Sequence, residues 1–415
     1  MKRALLSWAL LAVSAMAASA AKDSCVECHS VMEDALKAPA AAFPNDVHGR
    51  FGFSCADCHG GDRNLDDPGE SMSRARGFIG KPARQAVPKL CARCHSDAAL
   101  MHKYKPQERV DQYAQYLTST HGKRLAAGDT AAAVCTDCHG VHDIRQVKDA
   151  LSPVHPLRLP GTCSRCHSDP KHMAKYEIPT DQFAEYRKSV HWEALEKRGD
   201  LSAPSCASCH GNHGATPPGV GSVADVCGTC HVLMENLYNK SPHKAAFTAM
   251  NVGGCVVCHG NHQVQKPSIK MLAGPESVCS QCHEAGSRGG LAATEMGGLI
   301  RKLSAALERS DAILNKAARS GMEVSEATLR QGDARETLIK ASVAVHAFQT
   351  DAVAKPVEEG LAISLQTHKA GEAALEERQH RRIGLGFSLI TIVITILGLW
   401  LAIRRLERPR LSSPR

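Results

Sequence analysis

Pairs of cysteines separated by two residues, each pair followed directly by a histidine, recur along the chain. The pattern Cys-x-x-Cys-His occurs nine times and uses all 18 cysteines. The cysteines are Cys25, Cys28, Cys55, Cys58, Cys91, Cys94, Cys135, Cys138, Cys163, Cys166, Cys206, Cys209, Cys227, Cys230, Cys255, Cys258, Cys279 and Cys282. The histidines are His29, His59, His95, His139, His167, His210, His231, His259 and His283. Two thiols at this spacing can bond to the two vinyl groups of one porphyrin while the histidine ligates its iron, so the pattern predicts nine covalently bound haem c groups with these proximal ligands.

Zinc sites and redox disulfides are the alternative interpretation, because both also use Cys-x-x-Cys pairs. Neither requires a histidine after the second cysteine, and histidine is a minor residue here, 22 of 415. Only 4% of residues are aromatic, which is few for a core of ordinary side chains. We therefore expect a mainly α fold with extensive loop, in which short helices wrap around a stack of haems.

The motifs are organised as a repeated two-motif unit. Residues 91–142 and 163–213 share a Tyr 13 residues after the first Cys, an Asp-Gln-aromatic-Ala segment and a further His 10 residues after that Asp. A shorter copy spans residues 227–262, an earlier pair spans 25–62, and the ninth motif stands alone. The unit is therefore used four times, plus one motif.

Histidines outside the motifs recur at fixed places in this unit and are the candidate distal ligands. Four of them precede the second motif of a unit, and three lie three residues after a proximal histidine. These seven are His48, His121, His191, His243, His142, His213 and His262. Further candidates for the remaining irons are His155, His102, His172 and, in reserve, His346.

Methionine ligation is the alternative to a second imidazole, and it would raise the haem potential. Four methionines are candidates for that role: Met32, Met101, Met173 and Met234. All-histidine ligation instead predicts a low-potential series of haems.

On these motifs the chain resembles the multihaem c-type cytochromes with doubled Cys-x-x-Cys-His motifs. That group includes periplasmic electron carriers and enzymes of the hydroxylamine-oxidoreductase and octahaem-reductase type. The most specific part is Cys-x-x-Cys-His-Gly-x-His at 135–142, 206–213 and 255–262. The resemblance implies closely packed haems that relay electrons. Nitrite-reducing members carry Cys-x-x-Cys-Lys, which does not occur here, so catalytic residues stay unassigned.

Both ends of the chain carry apolar segments. A basic start, a short apolar run and Ala18-Ser19-Ala20 predict a cleaved secretory signal. Near the other end, 21 residues without a charge predict a transmembrane helix, and the arginines after it predict a cytoplasmic tail. The predicted organisation is a signal peptide at 1–20, a nonahaem domain at 21–287, a helical bundle or stalk at 288–382, a transmembrane helix at 383–403 and a basic tail at 404–415.

The stalk shows three amphipathic helices. Gly321 is expected to end the first and Ser325 to cap the second. Pro356 is expected to break the second helix, so that the third runs from Val357 to Arg382. His346 lies on or beside an apolar face, where packing is the first interpretation and haem ligation the second.

A net charge of +8 does not indicate nucleic acid binding, because the chain is predicted to be exported; its arginines suit lipid headgroups. We expect an anchored respiratory electron carrier at the periplasmic face of the bacterial cytoplasmic membrane. Its expected partners are a quinol-oxidising membrane protein such as a b-type cytochrome, periplasmic cytochromes or reductases, and the bilayer. The alternative is an oxidoreductase that acts on a small nitrogen or sulfur compound at one haem with an open axial position.

Overall fold

The fold is mainly helical with long connecting loops, as the sequence predicts. The computed structural model describes residues 23–407; the predicted signal segment and the last part of the basic tail lie outside this range. No strand occurs among the described residues. The chain divides between Gly221 and Ser222 into two compact units, a division that falls inside the predicted nonahaem domain.

The first unit is built from short helices, of which the longest have nine residues. They are α1 (Ser24–Ser30), α2 (Asp34–Ala42), α3 (Val47–Arg50), α4 (Cys55–His59), α5 (Pro68–Ser71), α6 (Val87–His95), α7 (Ala98–Tyr104), α8 (Gln112–Thr118), α9 (Thr120–Ala126), α10 (Cys135–His139), α11 (Leu159–His167), α12 (Pro170–Met173), α13 (Gln182–Tyr186), α14 (Val190–Trp192) and α15 (Cys206–His210).

The sequence repeat is also a structural repeat. Tyr116 in α8 donates its hydroxyl hydrogen bond to the carbonyl of Ala133 at 2.9 Å, and Tyr186 in α13 donates to the carbonyl of Pro204 at 2.7 Å. Each of these carbonyls lies two residues before the first cysteine of the next motif. The two tyrosines therefore hold the backbone just before equivalent motifs in the same way.

The second unit begins with three short helices, α16 (Val232–Asn239), α17 (Pro242–Ala249) and α18 (Gly254–His259), and continues into three long ones. The long helices are α19 (Arg288–Arg319), α20 (Ser325–Ala344) and α21 (Thr350–Leu406). Their packed core consists of Met296, Ile300, Leu303, Leu307, Ala334, Ala341, Val353 and Val357. The apolar stripes read from the sequence thus meet in a three-helix bundle.

A buried polar group links all three long helices. Gln331 of α20 is fully buried and donates through Nε2 to the carbonyl of Leu307 and to Asp311, both at 3.1 Å. Its side-chain oxygen accepts from the hydroxyl of Thr367 in α21 at 2.6 Å. Because each polar atom has a partner, burial of the amide is compensated.

The boundary between α19 and α20 follows the sequence only in part. Gly321 has φ +76° just after α19, so its predicted role as the stop is confirmed. Ser325 is the first helical residue rather than the cap; Val324 holds the cap position, and the Glu323 carboxylate accepts from the backbone N–H of Ser325 at 2.9 Å.

The expectation that Pro356 breaks the second helix is wrong. That helix already ends at Ala344, a short turn follows, and Phe348 adopts φ +52°. Pro356 instead lies inside α21, which continues without interruption from the stalk through the apolar segment. Val353 and Val357, on either side of the proline, are 0% exposed, and we attribute the continuity to this burial, which outweighs the lost backbone hydrogen bond.

The apolar C-terminal part of α21 has no protein partner among the described residues. Helix α21 is the one described helix long and apolar enough to cross a membrane, and its apolar window is 0% buried. Trp400 stacks against the guanidinium of Arg404 at 4.1 Å from the ring centroid. Length, exposure and this terminal pair make 383–403 a candidate membrane anchor.

Close packing in the bundle predicts opposite effects for two glycine substitutions. A Cβ at Gly360 would lie 2.0 Å from the Thr337 hydroxyl and 2.9 Å from Leu303, so we expect Gly360→Ala to destabilise the protein by about 1–3 kcal/mol. Gly332 lies in α20 with open space around it, so Gly332→Ala should stabilise it by about 0.5–1 kcal/mol. Urea unfolding monitored by circular dichroism checks both, and equal effects would contradict the packing.

Candidate functional site

Most motifs form one helical turn, which explains their spacing. In a helix, residues i, i+3 and i+4 share a face. Helices α4, α10 and α15 begin at the first cysteine and end at the histidine, and α18 begins one residue earlier. Each of these four is followed by a glycine with positive φ, at Gly60, Gly140, Gly211 and Gly260. The two thiols and the imidazole therefore point to one side, where a single porphyrin can take all three.

Within a two-motif unit, the first cysteines of the two motifs are neighbours. In three such pairs the two thiols are close enough to change each other's pKa: Cys91 with Cys135, Cys163 with Cys206, and Cys227 with Cys255. In the earliest unit, Cys25 is close enough to contribute to the raised pKa of Cys55, after burial and Asp23. The two haems of a unit would therefore be attached side by side.

Successive units are joined through other cysteines. Burial and then the Cys94 thiol raise the pKa of Cys58, and burial and then Cys163 raise that of Cys138 to about 11. In the second compact unit, Cys258 has Cys279 as its main charged neighbour. Within each compact unit, neighbouring attachment motifs therefore lie close together in sequence order.

Six motif histidines each face a second imidazole. The ring centroids lie 5.9–6.1 Å apart in all six cases. The pairs are His95 with His48, His59 with His142, His167 with His121, His139 with His213, His283 with His243, and His259 with His346.

This spacing fits one iron between two rings. An imidazole nitrogen ligates a metal at about 2 Å and its ring centre lies about 1 Å farther out, so opposed ligands have centroids about 6 Å apart. The angle between the ring planes runs from 10° to 88°, which ligation permits, because each ring can turn about its bond to the metal. The residues present therefore fit haem iron at these six places.

Hydrogen bonds prepare several of these imidazoles for ligation. Nδ1 of His59 donates to the carbonyl of Gly80 at 2.8 Å, that of His48 to Asp46 at 2.9 Å and that of His346 to the carbonyl of Val343 at 2.9 Å. A proton held on Nδ1 leaves the lone pair of Nε2 for iron. Burial, and then His213 and His95, lowers the pKa of His139 to about 4, so that ring is neutral at pH 7.

The imidazole pairs connect different two-motif units. A histidine before the second motif of a unit faces the first motif of the next unit, as with His48 and His95. A histidine after the second motif faces the second motif of the previous unit, as with His142 and His59. Each of these pairs therefore ties two units together.

A local signal marks the histidines that precede a motif, and sequence reasoning missed it. Each lies two residues after a buried serine or aspartate that occupies the N-cap position of a short helix. These cap residues are Asp46, Ser119, Ser189 and Ser241. The pattern Ser/Asp-x-His starts a helix on which the imidazole sits in the first turn.

Three of the additional candidates are not opposed to a motif histidine among the described residues. His102 is exposed, His172 lies 6.0 Å from Tyr176, and His155 is 7% exposed with its Nδ1 accepting from the backbone of Leu157 at 3.4 Å. Their ligand roles stay predictions. So do those of His191 and His262 and of the proximal His210 and His231, all four of which make contacts in the structure.

His346, which the sequence analysis gave only as a reserve distal ligand, faces a motif histidine. It lies in the turn after α20, 6.0 Å from His259. Two residues on, the ring of Phe348 packs against His243 at 3.9 Å. The turn between the stalk helices therefore contacts two imidazole pairs, those of His259 and His283.

The buried carboxylate of Asp46 gives a test of how His48 is held. It is 2% exposed and accepts from the backbone and Nδ1 of His48 and from the backbone of Ile144. Burial opposes ionisation, but these bonds outweigh it and lower the pKa of Asp46. We expect Asp46→Asn to lower the free energy of unfolding by about 1–3 kcal/mol at pH 7.

A lowered carboxyl pKa stabilises the fold above the unfolded-state value, and this contribution is lost as pH falls through the folded-state value. The difference between wild type and Asp46→Asn should therefore shrink below about pH 4. Asp67→Asn is the control, because Asp67 caps an exposed helix and asparagine caps equally well. A pH-independent difference in urea unfolding would contradict the assigned role.

Comparison with known families agrees with this geometry. Residues 47–168 match the cytochrome c3 family, and residues 248–288 match the doubled CXXCH motif family. No curated protein and no solved structure gave a significant match. The matched families imply covalently bound haem c and electron transfer.

Proposed function

We propose that this chain, which is a multihaem c-type cytochrome, carries nine haem c groups and relays electrons at the periplasmic face of the bacterial cytoplasmic membrane. The observation that carries the proposal is the set of six imidazole pairs at 5.9–6.1 Å. Haem c, when bound, supplies a one-electron couple. Two imidazoles saturate its iron, so the site changes charge without exchanging a ligand, which suits a carrier.

The residues of this chain perform three tasks in that function. The motif cysteines fix the order of the sites, because the first cysteines of neighbouring motifs lie close enough to change each other's pKa. The opposed histidines hold each of these six sites in one coordination state. Burial of rings such as His139, together with Nδ1 bonds such as that of His59, keeps the imidazoles neutral and oriented.

The membrane placement and the partners are part of the proposal. The exposed apolar segment 383–403 supports a C-terminal anchor, and a leader of the secretory type supports export. A single span offers no evident quinone pocket, so the proposed donor is a quinol-oxidising membrane protein such as a b-type cytochrome. The proposed acceptors are periplasmic cytochromes or reductases of a respiratory chain.

A haem count and a spin-state census test the proposal. Purified holoprotein should contain nine haems per chain by pyridine haemochrome assay and mass spectrometry. Electron paramagnetic resonance and near-infrared magnetic circular dichroism of the oxidised protein should show mainly low-spin haem with two imidazole ligands. Fewer than six such haems would overturn the ligand assignment, and a haem count below nine would overturn the proposed number.

A further inference from the structure

We infer that the haem attached at Cys25 and Cys28 receives one axial ligand from this chain, His29, and that its other axial position is open to a small exogenous ligand. The inference rests on the proposed haem occupancy. It distinguishes this site from the six at which two imidazoles face each other.

His29 lacks the feature that those six motif histidines share. All 22 histidines lie between residues 29 and 380, inside the described range. Among these residues, the only hydrogen bond or ring contact of the His29 side chain is that of Nδ1 with the carbonyl of Leu36, at 3.1 Å. That bond is the type that prepares a proximal ligand, as at His59, because the proton on Nδ1 leaves Nε2 for iron. No second imidazole of the described chain faces it.

The interlocking pattern gives a reason for the difference. The first motif of a unit takes its second imidazole from the histidine that precedes the second motif of the previous unit, as His95 takes His48. No histidine occurs in residues 1–28. His48, the first that could serve, is already opposed to His95.

The first unit also differs from the later ones at the position that follows its second motif. In later units a histidine follows the second motif and serves the previous unit. After His59 the corresponding residue is Asp62, whose carboxylate instead accepts from Asn64 and Arg76. Asp62 therefore supplies no imidazole at the place where the later units carry a histidine. At the other end the corresponding gap, opposite His259, is filled by His346 from the stalk.

Met32 is the nearest alternative ligand, and its position disfavours it. It lies three residues after His29, and its backbone N–H donates to the carbonyl of His29 at 3.4 Å. Histidines three residues after a motif serve a different motif, as His142 faces His59. A side chain starting so close to the proximal ligand would have to pass around the porphyrin edge to reach the opposite side.

The first site is also accessible to solvent. Cys28 is exposed, and the hydrogen bond of His29 to Leu36 lies at the surface. A small molecule can therefore reach the first site from solvent. The ligands expected there are small π-acceptor or nitrogen-donor molecules that bind haem iron directly.

Carbon monoxide is the probe that tests this inference on the full-length holoprotein. We expect the dithionite-reduced protein to bind one CO per chain of nine haems. The oxidised protein should show one high-spin haem. Nine low-spin haems with no CO binding would overturn the inference but would not contradict the electron-relay function. A haem count below nine would instead contradict the proposed number of bound haems.

Cysteine variants identify the haem that binds CO. Cys25→Ala/Cys28→Ala should lower the haem count to eight and abolish CO binding. The matched control, Cys279→Ala/Cys282→Ala at the ninth motif, should also carry eight haems yet keep one CO. CO binding that survives loss of the first haem would overturn the assignment. A sulfur-to-iron charge-transfer band that disappears in Met32→Leu would show methionine ligation and would overturn it as well.

Discussion

Replacing His346 by methionine should raise the midpoint potential of one haem by on the order of 100 mV, because a thioether ligand stabilises the reduced iron relative to an imidazole. His346 faces His259 at 6.0 Å, so the affected haem should be the one attached at Cys255 and Cys258. A potentiometric titration followed by visible and magnetic circular dichroism spectra would resolve the shifted component.

The control for this substitution is His368→Met. His368 lies in α21 of the same bundle, and its Nε2 contacts Glu372 at 3.5 Å rather than a motif histidine. This variant should leave all potentials unchanged. If His346→Met also leaves them unchanged, His346 is a packing residue and the opposed geometry does not report ligation.

The position of His346 gives the stalk a part in the haem region. The same turn places Phe348 against His243 at 3.9 Å, and His243 faces His283. Two imidazole pairs of the second compact unit thus depend on one turn between α20 and α21. Helix α21, which begins after this turn, continues into the apolar segment. One helix therefore connects the turn to the proposed membrane anchor.

Ending the chain at Arg382 should move the protein from the membrane fraction to the soluble fraction, with more than a tenfold change in the ratio of the two. The deleted segment is the apolar stretch of α21, which is 0% buried, so its loss removes no packing from the described fold. Haem content and the visible spectrum should therefore stay those of the full chain. Cell fractionation followed by haem staining measures both quantities.

The matched control keeps the apolar segment and changes only the charges after it. Arg404→Ala/Arg405→Ala removes the cation that stacks on Trp400 but leaves the hydrophobic length intact. This variant should remain in the membrane fraction, because burial of apolar surface rather than charge drives retention. A truncated chain that still sediments with membranes would show that another surface of the protein holds it there.

The attachment sites could be predicted from sequence because their geometry is local. Three residues at i, i+3 and i+4 share a helical face wherever a turn of helix forms. His121 and His213 could likewise be identified as ligand candidates from spacing alone, because they recur at fixed places in the unit. The mainly helical fold followed from the same repeat and from the scarcity of aromatic residues.

The partner of each imidazole could not be predicted from sequence, since it depends on how units pack. His48 and His142 lie in different units from the histidines they face, His95 and His59. The spacing of residues within one two-motif unit does not predict which histidines of different units face each other. The Ser/Asp-x-His signal was present in the sequence, but its meaning became clear only when the four cap residues proved buried.

The stalk shows the same division between local and non-local effects. Gly321 ends its helix because a positive φ suits glycine, and this is a property of the residue itself. Pro356 does not end a helix, because Val353 and Val357 are buried by packing against other helices. His346 faces His259 because folding brings residues 87 positions apart together. The sequence by itself determined where porphyrins attach and which segments are helical or apolar, since those properties depend on a few neighbouring residues. Only the tertiary structure decided which imidazoles are opposed, because that depends on distant segments meeting across the fold.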